Sequence, residues 1–183
     1  SALARDARAR GLLADAGIAL HTAKDQVIFE RDEVLTKTGT PYSVFTPYKN
    51  AWLAKLDGFY LKPYPVETYA DALAARPAAW RVEIPSLASM GFEATNLSGL
   101  PIPTGTAGGR ELLAEFTERM DRYRDTRDFP AVKGPSYLSV HLRFGTVSIR
   151  QLARLAHERM SAGSAGAAVW LSELIWRDFY HQV

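Results

Sequence analysis

The hydrophobic and polar positions at the end of the chain follow the spacing of an α-helix. At about 100° per residue, residues 170–180 separate into two faces. Leu171, Leu174 and Ile175 lie on one face. The other face carries polar and aromatic side chains, which are Trp170, Glu173, Trp176, Arg177 and Tyr180. Because Glu and Arg are seldom fully buried without partners, and Trp and Tyr need partners for N–H and O–H, we predict a buried helix whose polar face lines a cavity or groove.

The start of the chain combines a helical pattern with strand-like stretches. Residues 3–16 are rich in Ala, Arg and Leu, and Gly17 follows them, which predicts a helix with a glycine C-cap. Short apolar stretches with β-branched residues at 18–21 and 26–29 predict strands. A helix followed by strands favours an α/β unit, but these strands cannot close a doubly wound sheet. Since the chain also opens on Ser1 without a Met, we expect an excerpt of a longer protein.

The middle of the chain separates two parts. Thr46-Pro47 is typical of an N-cap followed by proline at the first helical position, and it predicts a helix that stops at Gly58. Residues 59–104 are rich in proline and show no sustained period, which indicates a long connector with short helical or extended pieces. We therefore place a partial α/β domain at 1–58, followed by this connector.

Three glycines precede the next amphipathic pattern. Gly105, Gly108 and Gly109 lie just before apolar positions that recur at helical spacing over 112–123. Their own spacing matches neither the dinucleotide-binding nor the P-loop pattern. We therefore interpret them as a flexible hinge or an N-terminal turn.

Serine residues predict where the following helices begin. Ser136 is expected to cap a short helix that Gly145 ends, and Ser148 a helix at 149–160. Together with the last helix, this pattern makes residues 105–183 all-α. The predicted fold class is therefore α/β followed by all-α.

Composition excludes several classes of site. The chain has no cysteine, and its four histidines show no metal-ligand spacing. We therefore expect no metal. No apolar run approaches the roughly 20 residues of a membrane span, so we expect a cytoplasmic protein. The net charge is +2, yet eight basic side chains and only three acidic ones lie between Arg119 and Arg154. This stretch is either a solvated face or a contact surface for phosphates.

Four segments, in order, resemble motifs of the cryptochrome/photolyase family, and most closely those of bacterial class I cyclobutane pyrimidine dimer photolyases. They are residues 40–52 (TPYSVFTPYKNAW), 127–130 (RDFP), 134–145 (GPSYLSVHLRFG) and 170–180 (WLSELIWRDFY). The resemblance implies the end of a Rossmann-like α/β domain at 1–58, an interdomain connector at 59–104, and the first helices of a helical FAD-binding domain at 105–183. It covers only the middle part of a family member.

The resemblance also implies a set of FAD-binding residues. Tyr123 and the segment 136–139 resemble the groups that bind the flavin phosphates and ribityl chain, and Trp170 resembles the tryptophan beside the flavin. The complete set is Tyr123, Pro135, Ser136, Tyr137, Leu138, Ser139, Trp170 and Arg177. Unpaired amides at a helix N-terminus suit a pyrophosphate, although Ser136 could equally well only cap its helix. Pro135 departs from the family pattern, since proline supplies neither a hydroxyl nor an N–H.

A second set resembles the residues that bind damaged DNA. Glu173 resembles the carboxylate that hydrogen-bonds the pyrimidine dimer, Trp176 the indole on which the extruded dimer stacks, and Arg127 an arginine that contacts phosphate. The catalytic set is Glu173 and Trp176, and the DNA-binding set is Arg127, Glu173, Trp176, Arg177 and Tyr180. Arg177 lies four residues after Glu173, so these two could instead form a salt bridge within the helix.

The function that the resemblance implies is light-dependent DNA repair by a deoxyribodipyrimidine photolyase. Excited reduced FAD would donate an electron to the pyrimidine dimer, and the cyclobutane ring would split. The alternative is a cryptochrome-like photoreceptor that binds FAD and signals through protein partners; the pair of Glu173 and Trp176 favours repair. We further expect a monomer that binds damaged DNA, a second antenna chromophore of the folate or deazaflavin type in the longer protein, and weak or no FAD binding by this excerpt alone.

Overall fold

The computed structural model describes residues 2–30 and 32–182, and of Ala2 and Ser98 only the backbone. The α-helices in this part of the chain are α1 (Ala2–Asp15), α2 (Phe45–Lys55), α3 (Gly105–Arg119), α4 (Tyr123–Thr126), α5 (Ser139–Phe144), α6 (Ile149–Ser161) and α7 (Ala165–Tyr180). A short 3₁₀ helix, Met120–Arg122, joins α3 to α4. No helix in the described ranges is both long and apolar enough to cross a membrane.

The predicted strands at 18–21 and 26–29 are not confirmed, since both stretches lack regular structure. The only β pairing within the described residues is an isolated bridge between Leu35 and Pro41. The apolar pattern at 26–29 has a different cause: Ile28 and Phe29 are buried in the core, and their N–H groups donate to the Asp178 carboxylate of α7 instead of a neighbouring strand. The described chain is therefore helical, and an α/β unit is not confirmed.

Helix α1 is confirmed, and Gly17 follows it with φ of +73°, as expected of a glycine C-cap. The predicted start of α2 at Thr46-Pro47 is wrong, because the helix begins at Phe45 and Val44 precedes it without a side-chain cap. Pro47 is accommodated within the first turn, where backbone N–H groups have no helical acceptor. Helix α2 buries Tyr48 and Trp52.

The connector contains short 3₁₀ helices, as expected of a stretch with many prolines. They are Val66–Ala72, Ala78–Trp80, Ala88–Met90 and Asn96–Gly99. Residues 62–101 are exposed wherever their side chains are described. The domain boundaries at 58 and 104 remain predictions.

The three glycines lie at the start of α3, which agrees with the predicted N-terminal turn and not with a hinge. Helix α3 already begins at Gly105, so Gly108 and Gly109 lie within it and are buried. A Cβ on Gly109 would approach Val147 Cγ1 to 2.6 Å and His141 Nδ1 to 3.0 Å. Glycine is required here because the helix packs closely against its neighbours.

The caps of the later helices are confirmed except at Ser136. Helix α5 begins only at Ser139, so Ser136 does not cap it, whereas Gly145 ends it with φ of +66°. Ser148 caps α6, because its side chain accepts a hydrogen bond from the Gln151 N–H.

Helix α7 is the central element of the helical part. It packs against α2, α4, α6 and the Met120–Arg122 turn. Ser164 caps it by accepting a hydrogen bond from the Ala167 N–H at 3.1 Å. Gly166 allows a close approach, since a Cβ there would lie 2.2 Å from the Met120 carbonyl oxygen. The predicted burial of this helix is confirmed, and its position decides where its polar side chains point.

Candidate functional site

A cavity of about 580 Å³ lies beside α7 and the segment that precedes α5. All the residues of the predicted FAD-binding set line it, together with Glu173, Gln26 and Arg143. The polar face of α7 therefore contributes Trp170, Glu173 and Arg177 to one cavity.

The segment 135–139 forms one wall in an unusual backbone conformation. Tyr137 has φ of +56°, which costs a residue other than glycine roughly 1–3 kcal/mol. The Arg119 guanidinium donates to the Pro135 carbonyl at 2.9 Å and holds the start of the segment. The backbone N–H groups of Ser136, Tyr137 and Ser139 have no acceptor within the described residues. Several donors are thus available at the cavity wall, which suits an anionic ligand.

Tyr123 supplies a further donor to the same cavity. The residue is buried, and burial raises the pKa of its phenol, so the hydroxyl keeps its proton at neutral pH. The ring of Tyr123 packs edge-on against Phe116, with centroids 5.7 Å apart. Its hydroxyl makes no hydrogen bond within the described part of the chain, so it is free to donate to a ligand.

The Glu173 carboxylate pairs with Arg127 and not with Arg177. Arg127 Nη1 donates to Glu173 Oε1 at 2.5 Å, and this hydrogen bond raises the pKa of Arg127. The guanidinium also lies 5.4 Å from the centre of the Tyr123 ring. Both side chains of the pair are about one-third exposed, at 30% and 35%, so a ligand can reach them. The alternative of a salt bridge within α7 is therefore wrong.

Arg177 instead binds the N-terminal segment. Its guanidinium donates to the backbone carbonyl of Gln26 and, at 3.5 Å, to the Gln26 side-chain oxygen. Burial lowers the pKa of Arg177. The interaction brings Gln26 to the cavity, a lining residue that sequence reasoning missed.

Asp178 is a second residue that sequence reasoning missed. Its carboxylate is fully buried and accepts hydrogen bonds from Ile28 N–H (3.1 Å), Phe29 N–H (3.3 Å) and Trp52 Nε1–H (3.0 Å). Burial raises the pKa of Asp178, although these donors oppose the shift. The sequence did contain a signal for this role: on the helical wheel Asp178 lies between Leu171 and Leu174, on the apolar face of α7. A carboxylate buried on that face needs hydrogen-bond donors.

Trp176 and Tyr180 lie outside the lining of the cavity. The Trp176 indole stacks on Phe45, the first residue of α2, with ring centroids 3.6 Å apart and an angle of 7° between the planes. Tyr180 lies on the same helix at 5.5 Å from the indole and is 68% exposed. The predicted polar–aromatic face of α7 is thus divided between the cavity and an aromatic cluster. This cluster consists of Phe45, Trp176, Phe179 and Tyr180.

Comparison with known proteins shows similarity to photolyases. A family model described as DNA photolyase matches residues 1–69. A deoxyribodipyrimidine photo-lyase from Vibrio cholerae is 37% identical over 183 residues, which cover 98% of this chain and 38% of that protein. Over nearly its whole length the chain is similar to members of the DNA photolyase family.

Further photolyases show the same similarity. The deoxyribodipyrimidine photo-lyase from Escherichia coli K12 is 34% identical over 164 residues, covering 87% of this chain and 33% of the relative. A crystal structure of a bacterial class III photolyase from Agrobacterium tumefaciens superposes with a TM-score of 0.76 at 25% identity, covering 98% of this chain and 37% of that one. The chain therefore spans between 33% and 38% of the length of these photolyases, and the resemblance to class I in particular remains a prediction.

Proposed function

We propose that this chain is part of a deoxyribodipyrimidine photolyase, a light-dependent enzyme that uses FAD to split cyclobutane pyrimidine dimers in DNA. The observation that carries the proposal is the single cavity that brings the predicted FAD-binding residues together with Glu173. The curated relatives bear the name photo-lyase, which favours an enzyme over a photoreceptor.

The donors around the cavity fit the phosphate end of FAD. The N–H groups of Ser136, Tyr137 and Ser139 have no acceptor within the described residues, and the buried Tyr123 hydroxyl keeps its proton. The Arg177 guanidinium adds a positive charge at the same cavity. In this arrangement Ser136, Tyr123 and Arg177 would hold the pyrophosphate, and Trp170 would pack beside the cofactor. When bound and excited by light, reduced FAD supplies the electron for ring splitting.

Glu173 fits the role of a hydrogen-bonding group for the damaged bases. Its Oε1 accepts from Arg127, whereas Oε2 makes no hydrogen bond within the described residues. The free oxygen can accept from the N3–H of a pyrimidine. Arg127 balances the negative charge of the carboxylate and keeps it oriented, and the exposed part of Arg127 can also meet a DNA phosphate.

Trp176 offers an aromatic surface one turn after Glu173 on α7. A pyrimidine dimer stacks poorly in the duplex, so extruding it costs little, and an indole compensates for lost stacking regardless of sequence. The neighbouring Tyr180 extends this surface toward solvent. Both residues would therefore contact the damaged strand.

The test uses Glu173→Gln in a protein of the relatives' full length that carries this chain. Glutamine keeps the shape but removes the charge that pairs with Arg127. We expect the repair yield of a thymine-dimer duplex under blue light to fall at least tenfold, about 1.4 kcal/mol, with flavin content unchanged. Glu118→Gln, an exposed position on α3, is the matched control. Equal repair by the Glu173 and Glu118 variants would remove Glu173 from the reaction.

A further inference from the structure

Phe45 forms the closest ring contact of the aromatic cluster. Its ring is parallel to the Trp176 indole, within 7°, at a centroid distance of 3.6 Å. Phe45 also meets Phe179 edge-on at 6.0 Å, and Phe179 itself is buried. Since Phe45 packs against the core, it joins the indole to the rigid part of the fold.

Two further aromatic rings meet the indole: buried Phe179 lies edge-on to it at 5.7 Å, whereas Tyr180 is held much less firmly. Tyr180 lies 5.5 Å from Trp176 at 22°, and it makes no ring contact with Phe45. It is 68% exposed, whereas Phe45 is half-buried. Phe45 is therefore the firmly held ring that lies parallel to the Trp176 indole, and Tyr180 is the neighbour that can move aside.

A parallel ring at this distance covers much of one face of the indole. A base that stacks on Trp176 has to use the opposite face. The benefit of such stacking depends on how well the indole is already held, because ordering a side chain during binding costs roughly 0.5–1.5 kcal/mol. Contact with Phe45 removes much of this cost before DNA arrives.

We propose that Phe45 is a positioning residue that fixes the plane of the Trp176 indole, so that one face is ready to stack on an extruded pyrimidine dimer. The inference rests on the proposed function, since it assigns to Phe45 the preparation of the surface that Trp176 offers to damaged DNA. It adds α2 to the elements that build the DNA-binding site.

The first test measures binding by the FAD-containing protein of the relatives' full length that carries this chain. The probes are a duplex with one thymine dimer and the same duplex undamaged. We expect Phe45→Leu to lower the preference for damaged DNA about two- to twelvefold, the range that roughly 0.5–1.5 kcal/mol for an aromatic pair predicts. Affinity for undamaged DNA and flavin content should stay unchanged, and Phe45→Tyr should restore the preference.

The matched control is Tyr42→Leu, which removes a half-buried aromatic ring that packs on Tyr48 and makes no ring contact with Trp176. This variant should keep the full preference for damaged DNA. A Phe45→Leu variant with an unchanged or increased preference would overturn the proposal, since an increase would mean that Phe45 blocks the indole. If Phe45→Leu loses flavin, Phe45→Met, which is similar in volume, takes its place.

A second measurement does not depend on repair or DNA binding. Stacked aromatic rings give near-ultraviolet circular dichroism, so Phe45→Leu should change the signal in the wild-type background and not in a Trp176→Phe background. An equal change in both backgrounds would contradict the positioning role. If the wild-type protein shows no preference for damaged DNA, the proposed function fails, and the circular dichroism alone then decides whether Phe45 orients the indole.

Discussion

The Asp178 carboxylate replaces the strand partner that residues 26–29 lack, and its removal gives a local prediction. In Asp178→Ala, the amides of Ile28 and Phe29 lose their acceptor, and Trp52 Nε1 remains buried without one. A hydrogen bond to a charged group contributes roughly 1.5–3 kcal/mol. The distances of 3.1 and 3.3 Å favour the lower value for each amide. Two such bonds give about 3 kcal/mol. This corresponds to a roughly hundredfold change in the equilibrium between the closed segment 26–30 and its open, exchange-competent state.

Hydrogen–deuterium exchange read by mass spectrometry measures this effect segment by segment. We expect amide protection in a peptide that covers residues 26–30 to fall about a hundredfold in Asp178→Ala, while α6 keeps its protection. Asp125→Ala, which alters an exposed carboxylate on α4, is the matched control. Unchanged protection at 26–30 would refute the role of the carboxylate. An equal loss in α6 would show that Asp178 acts on the whole fold instead of this segment.

Two further changes test the packing of α3 and the wall of the cavity. Gly109→Ala should destabilise the protein by about 1–3 kcal/mol, because the added Cβ would meet Val147. The effect is measured as a lower thermal midpoint. The control variant Gly11→Ala, which has open space around its Cβ, should not lower the midpoint. Tyr137→Gly should keep or raise the midpoint and Tyr137→Val should lower it, since φ of +56° suits glycine and strains a β-branched residue. Equal midpoints for the two variants of either pair would contradict these assignments.

The sequence predicted those features that depend on local spacing. Helical periodicity located α7 and its polar face, and Gly145 and Ser148 marked the ends of helices through their backbone and capping chemistry. The resemblance to photolyases named the residues that meet at one cavity. These predictions needed only near neighbours in sequence or motifs in a known order.

The features that the sequence did not predict depend on contacts between distant residues. Residues 27–29 are apolar and two of them are β-branched, yet Asp178, about 150 positions away, accepts from the amides of Ile28 and Phe29, and no strand forms. Gly109 resembled a turn residue, but its lack of a side chain serves the packing of α3 against Val147. Trp176 shared a helical face with Glu173, and only the position of α2 shows that its indole stacks on Phe45.

Repair of a thymine-dimer duplex in blue light and in darkness tests the proposed activity most directly. The protein is one of the relatives' full length that carries this chain, loaded with reduced FAD. We predict intact thymines only in the illuminated sample, in numbers that exceed one per protein molecule as exposure continues. Dimers that persist under light, in a protein that retains its flavin, would contradict a photolyase and favour a photoreceptor.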